Sequence, residues 1–527
     1  MRDIPRIEKR GTTTQLIIDG SPFIVLGGQV HNSSSSSLEY MERRVWDRVV
    51  ELQCNTAITP VYWELVEPVE GTFDFSLVDG LLEQARARGL RLILLWFATW
   101  KNTHSSYAPA WVKTDMERFP RAQRREGEDC GSVSCLSTEA RDADARAFAA
   151  LMRHLAEVDA DDRTVIMVQV QNETGLLGAA RDHSPLANRE FAGPVPGELL
   201  RHVARNAAAL RLELRTLWES AGSVTSGTWR EAFGVGADEV FMAWHIARFV
   251  QYVAAAGVKE YPLPLYANVW LVQSQGQEPG AYPSGGPVSR MMDVWHLAAP
   301  DIFTLAPDIY VPWFAEVCAD YDRDDNPLLI PEARREAALG PKCLYAVGRH
   351  DAMCFAPFGV ESIDSPEAVY VDGPVADGAV KLPSRGAGRM LAGTYRVLRG
   401  MMPLVAAHQG RGSMTAFLQG KNAVDIVEFG GYRLRVGYTE PARDSRVPGG
   451  GLVINTAPDE FVVAGVRCRI DFLPPEGGKR TVEYLSLDEG EYVDGSWVPS
   501  RRLNGDEQAL RLGDGPGVRR ARLHAYD

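Results

Sequence analysis

Val165-Ile-Met-Val-Gln169-Val-Gln171-Asn172-Glu173-Thr174-Gly175 opens as an apolar run and closes on polar side chains and a glycine. The run is too short for a helix of its own and suits a strand buried on both faces. A carboxylate at the C-terminal mouth of a buried parallel strand is where barrel enzymes place their chemistry. Taken alone, the stretch fits an inert strand and polar loop equally well. The rest of the chain decides between the two.

Working outward, seven more runs read as strands: Phe23 to Gly28, Asn55 to Trp63, Arg91 to Trp100, Pro264 to Leu271, Asp301 to Val311, Pro327 to Glu336 and Ala352 to Gly359. Helical patterns lie between them. One runs from Tyr40 to Leu52 behind serines read as an N-cap. A second runs from Leu77 to Arg88, with Ser76 and Asp79 at capping-box spacing. Phe148, Leu151, Met152 and Leu155 mark a third, and Val203, Ala207, Leu210, Leu214 and Leu217 one face of a fourth. A fifth covers about 239 to 256, and Thr394 to Ala407 would close the set. No strand leads into a glycine-rich phosphate loop, so eight alternations favour a (β/α)8 TIM barrel over a doubly wound sheet. The polar segment 101 to 137 is too long for a mere connector and is expected to shape a pocket rim.

Asp19-Gly20 signals a hairpin ahead of the barrel. From about residue 410, short alternating runs separated by Gly, Pro and Asp clusters read as a β-sandwich. The expectation is an α/β chain: a catalytic barrel with its N-terminal hairpin over 1–409, then a C-terminal β-sandwich over 410–527.

The net charge of -13, without a long basic run, argues against nucleic acid or an anionic membrane as partner. The N-terminus is charged, and no apolar run reaches membrane-spanning length. A cytoplasmic protein is expected, with a homo-oligomer left open. Seven cysteines are scattered along the chain. Cys130 and Cys135 lie close together, but no matching His or Cys cluster follows, so no metal site is expected.

Two carboxylates stand out, Glu173 ending the fourth strand and Glu332 ending the seventh. In a barrel these ends face one mouth. Glycoside hydrolysis needs one carboxyl to protonate the leaving oxygen and one to attack, and a separation of roughly 5–5.5 Å gives retention of configuration. Asn172 could bond a sugar 2-hydroxyl, and Tyr62, Trp63, Trp96, Trp100, Trp270 and Tyr310 offer faces for a sugar ring. Each has a plainer reading. Large aromatics usually fill cores, and Glu332 could pair with Arg334 or Arg335. Glu64, Glu67 and Glu70 could be rim salt bridges. For His31 and Glu64, pocket contact is slightly favoured.

Val168 to Gly175 resembles the acid/base motif of glycoside hydrolase family 35 β-galactosidases. Asn55 to Pro68, ending in Gly71-Thr-Phe-Asp-Phe75, is similar to that family's second-strand signature. The same architecture occurs in the related family 42, and the Asn-Glu pair is shared by the whole barrel-glycosidase clan. The resemblance spans about residues 20 to 360. It implies a retaining exo-β-galactosidase acting on an oligosaccharide or glycoside without a cofactor. Glu173 would be acid/base, kept protonated by the nearby nucleophile and partial burial, and Glu332 the nucleophile, with Tyr310 bonding it. The pattern departs at Pro60 (a sugar-contacting Tyr in the family), Glu64 (Asn), Val66 (His), Gln171 (Glu) and Thr174 (Tyr). Other clan exo-glycosidases, acting on α-L-arabinopyranosides, β-glucosides or galactofuranosides, are alternatives. A non-catalytic carbohydrate-binding protein is the alternative of a different class.

Overall fold

The run ending at Glu173 is a strand, Val165–Asn172, with all eight residues buried. Apolar side chains on both of its faces leave it no solvent side, so it can only sit inside a sheet covered on both faces. In a computed structural model that describes residues 4–365, 386–438, 447–478 and 481–527, it is one strand of a closed eight-stranded barrel. In chain order the barrel strands are β1 (Val25–Gln29), β2 (Thr56–Tyr62), β3 (Arg91–Lys101), β4 (Val165–Asn172), β5 (Leu265–Trp270), β6 (Ile302–Ile309), β7 (Leu329–Ala333) and β8 (Cys354–Pro357). They follow one another around the barrel in sequence order. The β3–β4, β4–β5, β5–β6, β7–β8 and β8–β1 pairs are parallel. The expected barrel and its eight strands are therefore present.

Several local expectations change. Phe23 belongs to the hairpin arm Ser21–Phe23, which pairs antiparallel with Thr13–Ile18, and the barrel strand starts two residues later. Ser76 is the first residue of helix α1 (Ser76–Arg86) and not its cap. Asp74 does the capping work, its Oδ1 accepting from Ser76 N at 2.9 Å. The single helix read through Val203 and Leu217 is two, Gly197–Asn206 and Leu212–Ser220. Between them Arg211 N donates to Asp293 Oδ2 at 2.7 Å, leaving the helical ladder. The serine run does cap: Ser37 accepts from Tyr40 N. The polar segment after β3 holds a short helix, Ala110–Thr114, and a two-stranded sheet, Arg121–Gln123 with Asp129–Val133. All seven cysteines are free thiols. Among the described residues no helix is long and apolar enough to cross a membrane.

The chain packs as two compact units, one of Met1–Pro5, Asn32–Glu42 and Ile58–Asp308, the other of Arg6–His31, Arg43–Ala57 and Ile309–Asp527. In the first, helices α2 (Thr138–Val158) and α3 (Ala237–Glu260) pack on each other. Gly257 gives the close approach, since a Cβ there would lie 2.6 Å from Phe148 Cδ1. In the second, ten C-terminal strands form two antiparallel sheets. The six-stranded sheet has the order Met414–Leu418, Gly450–Ala457, Glu460–Val466, Gly517–Tyr526, Thr481–Val493, Ser496–Arg502. The four-stranded one has the order Val424–Phe429, Tyr432–Tyr438, Cys468–Leu473, Leu510–Leu512. One buried cluster takes Val453, Phe461, Val463 and Leu487 from the first and Leu434, Val436, Ile470 and Phe472 from the second. That is the core of a sandwich.

Candidate active site

The end of β4 is built from unusual backbone. Gln171 and Glu173 both lie in the left-handed region, at φ 64° and φ 46°. Non-glycine residues there cost roughly 1–3 kcal/mol each and persist only where their surroundings hold them. Gln171 is held from two sides. Its Nε2 donates to Asp144 Oδ2 at 2.7 Å, and its Oε1 accepts from Trp100 N at 3.0 Å. Asp144, on α2, is fully buried and also accepts from Trp96 Nε1 at 2.8 Å and Thr99 Oγ1 at 2.5 Å. Burial pushes its carboxyl above the ordinary range, and these donors oppose the shift. The departure at Gln171 thus has a structural partner: a neutral amide can bridge a carboxylate and a backbone N–H, where a Glu would face Asp144 as a second negative charge.

Glu173 is nearly buried. Asn102 Nδ2 donates to its Oε2, and its backbone N–H donates to Asn268 Oδ1 at 2.8 Å. Asn268, on β5, donates through Nδ2 to Asp308 Oδ2 at 2.6 Å. A carboxylate oxygen of Asp308 lies within 4.8 Å of one of Glu173. Beside Glu173, the Asn172 carboxamide is fully buried, and neither its nitrogen nor its oxygen has a hydrogen-bond partner among the described residues. Asn102 follows Lys101, which donates to it, and Asn102 and Thr103 are both left-handed.

Glu332, near the end of β7, is buried in the second unit, and both of its oxygens accept a hydrogen bond. Tyr310 OH donates to Oε2 at 2.7 Å and Gln29 Nε2 to Oε1 at 2.6 Å. Two donors on two oxygens fix the plane of the carboxylate. Arg335 instead reaches the carbonyl of Gly359 at 3.3 Å, and Glu336 pairs with Lys342.

The remaining candidates are distributed differently. His31 bonds Ser362 Oγ through Nε2 at 2.8 Å and meets the ring of Phe358 edge-on at 5.3 Å. Tyr62 shares a 2.9 Å hydrogen bond with Ser35 and stacks on Tyr107. Glu64 makes a half-exposed ion pair with Lys113 at 2.9 Å. Trp100 is buried against Phe249 of α3, with ring centres 4.6 Å apart. Trp270, at the end of β5, stays partly open and is level with Asp308 in the register. Glu67 is fully buried, accepting from Trp63 Nε1 and Gly71 N at 2.8 Å each, so it shapes its loop from inside.

Sequence reasoning missed Asn102, Asn268, Asp308 and Gln29. Asp308 carried one signal, a charge inside the apolar run Ile-Phe-Thr-Leu-Ala-Pro-Asp-Ile. The others are ordinary polar residues whose role depends on the partner across the chain.

Comparison with known proteins adds a family. Residues 38–216 match the family model Glyco_hydro_42, described as Beta-galactosidase. Residues 391–512 match a domain of unknown function, DUF5597. A β-galactosidase of Xanthomonas manihotis is 31% identical over 182 residues, which is 33% of this chain and 27% of that protein's length. Among solved structures, a catalytic mutant of a family 42 β-galactosidase from G. stearothermophilus is 12% identical, with a TM-score of 0.46 over 98% of this chain and 100% of that one. The β-galactosidase of Bacillus circulans sp. alkalophilus is 14% identical, with a TM-score of 0.46 over 72% and 57%. The family model that matches is that of family 42, over residues 38–216, and the finer resemblance to family 35 is not what it supports.

Proposed function

We propose that the protein is a retaining exo-glycosidase of the family 42 type, a β-galactosidase, with Glu173 as acid/base and Glu332 as nucleophile. The observation that carries the reading is the buried, unpartnered carboxamide of Asn172 beside Glu173. Leaving a buried donor and acceptor unmet costs about 1–3 kcal/mol per group. A sugar 2-hydroxyl, which both donates and accepts, would satisfy them. The positions support the reading: Glu173 directly follows β4 and Glu332 lies near the end of β7, and the C-terminal ends of barrel strands are the usual seat of chemistry.

In the proposed cycle, a Glu332 oxygen attacks the anomeric carbon as the bond to the leaving oxygen breaks. Glu173 gives its proton to that oxygen. Ionised Glu173 then takes a proton from water, whose oxygen attacks the anomeric carbon and releases Glu332 from the glycosyl ester. Tyr310 and Gln29 hold Glu332 in line for the attack. Glu332→Gln is expected to abolish hydrolysis of aryl β-galactosides. Glu173→Ala is expected to lose most turnover and to regain part of it with azide, yielding a galactosyl azide of retained configuration. Wild-type turnover in the double variant would refute the assignment. A panel of aryl glycosides differing at the hydroxymethyl group and at the 4-hydroxyl tests the sugar.

A further inference from the structure

Asp308 is 2% exposed on an otherwise apolar stretch of β6. A buried carboxylate survives only with donors to meet it, and here Asn268 Nδ2 donates at 2.6 Å. The bond runs from the amide nitrogen to a carboxyl oxygen of Asp308, which accepts here. It therefore decides which way round the Asn268 amide lies: nitrogen toward Asp308, oxygen toward β4. That oxygen receives the N–H of Glu173 at 2.8 Å. Turned over, the amide would set its NH2 against that N–H, donor against donor. Glu173 is the residue at φ 46° whose left-handed backbone needs holding.

The geometry points to Asp308 and Asn268 as positioning residues for the acid/base. Asp308 locks the Asn268 amide, and Asn268 locks the backbone turn that aims the Glu173 carboxyl at the leaving-group oxygen. The inference rests on the reading of Glu173 proposed above. It adds to that reading a pair from two other strands that acts through Glu173.

Leaving-group dependence tests it, because acid assistance matters for a poor leaving group and little for a good one. General acid–base groups contribute about 10²–10⁴-fold. Asp308→Asn, nearly isosteric, lets the amide turn over. It should lower kcat/KM for a phenyl β-galactoside by about 10²-fold, while a dinitrophenyl β-galactoside loses less than about threefold. The exchange Asn268→Asp with Asp308→Asn restores an acceptor for the Glu173 N–H and a donor–acceptor pair between β5 and β6. It should recover most of the lost phenyl-galactoside activity. In a Glu173→Ala background, Asp308→Asn should change neither substrate further. Equal losses on both substrates, no recovery in the exchange, or full additivity with Glu173→Ala would overturn the inference. Should Asp308→Asn fail to fold, Asn268→Ala, which removes the acceptor for the Glu173 N–H, carries the same comparison of leaving groups. If Glu173→Ala itself shows no preference for good leaving groups, the acid/base reading falls. If it does and Asp308→Asn does not, the positioning role alone falls.

Discussion

Asn172 shows how a single side chain can announce a ligand. Its amide is fully buried and both polar atoms are unmet among the described residues, and on the proposed reading a ligand completes it. If that is the sugar 2-hydroxyl, Asn172→Ala should lower kcat on an aryl β-galactoside by about 10²-fold, in keeping with a transition-state contact of about 3 kcal/mol. On the matching 2-deoxygalactoside the same substitution should cost almost nothing. Equal losses on the two substrates would assign Asn172 to structure alone. Tyr310→Phe removes one of two donors on Glu332 and keeps the ring. A hydrogen bond to a charged group is worth about 1.5–3 kcal/mol. Kcat should therefore fall about ten- to a hundredfold with KM little changed, measured by steady-state kinetics on an aryl galactoside. Glu173, Glu332 and Asn172 stand out as candidates in the sequence because a charge or amide ends an apolar run, a contrast visible in one dimension. Asn268 and Gln29 carry no such contrast. Their roles arise from partners 95 and 303 residues away, which no local pattern encodes.

At the scale of the element, helix α3 carries a pH-sensitive site in its apolar face. His245 packs beside the rings of Phe241 and Trp229, at 4.5 and 6.0 Å, and burial holds its pKa down from 6.5 to about 4. The unfolded chain binds this proton more tightly than the native one. The stability His245 contributes is thus complete above pH 6.5 and is lost as the pH falls toward 4. At about 1.4 kcal/mol per pH unit, the loss is on the order of 3 kcal/mol. His245→Phe should remove that slope, as followed by urea unfolding at intervals between pH 4 and 7. A slope unchanged from wild type would exclude His245 as its source. The same helix was readable only in part. Its apolar residues lie on nearly all sides, so periodicity found its middle, near 239 to 256, but not its ends at Ala237 and Glu260. The barrel strands were easier, since burial on both faces writes an unbroken apolar run. The break at Arg211 was invisible, because the group that captures its N–H, Asp293, lies 82 residues on.

For the whole molecule, the question is whether residues 410–527 can be separated from the chain before them. We propose the end of the barrel region at 409, while the packing within the second unit ties the sandwich to the helix before it. Helix α4 (Leu339–His350) lies directly on the six-stranded sheet. Gly348 makes the approach close enough that a Cβ there would sit 2.6 Å from Leu452 Cβ and 2.9 Å from Ala416 Cβ. One turn and more earlier, Pro341 meets Gly450 in the same way, with 2.9 Å between Pro341 Cβ and a Cβ at 450. Real side chains do not approach so closely, so a residue larger than glycine at 348 must lift the helix. Gly348→Val gains only about 0.3–0.5 kcal/mol of helix propensity but overpacks by about 1–3 kcal/mol. The contact decides the sign, and a net loss of stability is expected by thermal unfolding. A chain ended at 409 would leave the sheet-facing side of α4 in water, including the surface that Leu452 and Ala416 now cover. Its expected behaviour is aggregation or loss of soluble expression, read by size-exclusion chromatography, whereas Gly348→Val in the full chain stays folded at a lowered melting temperature. A soluble, cooperatively melting 1–409 fragment would show that the sandwich is an appendage and not part of the fold that carries Glu332.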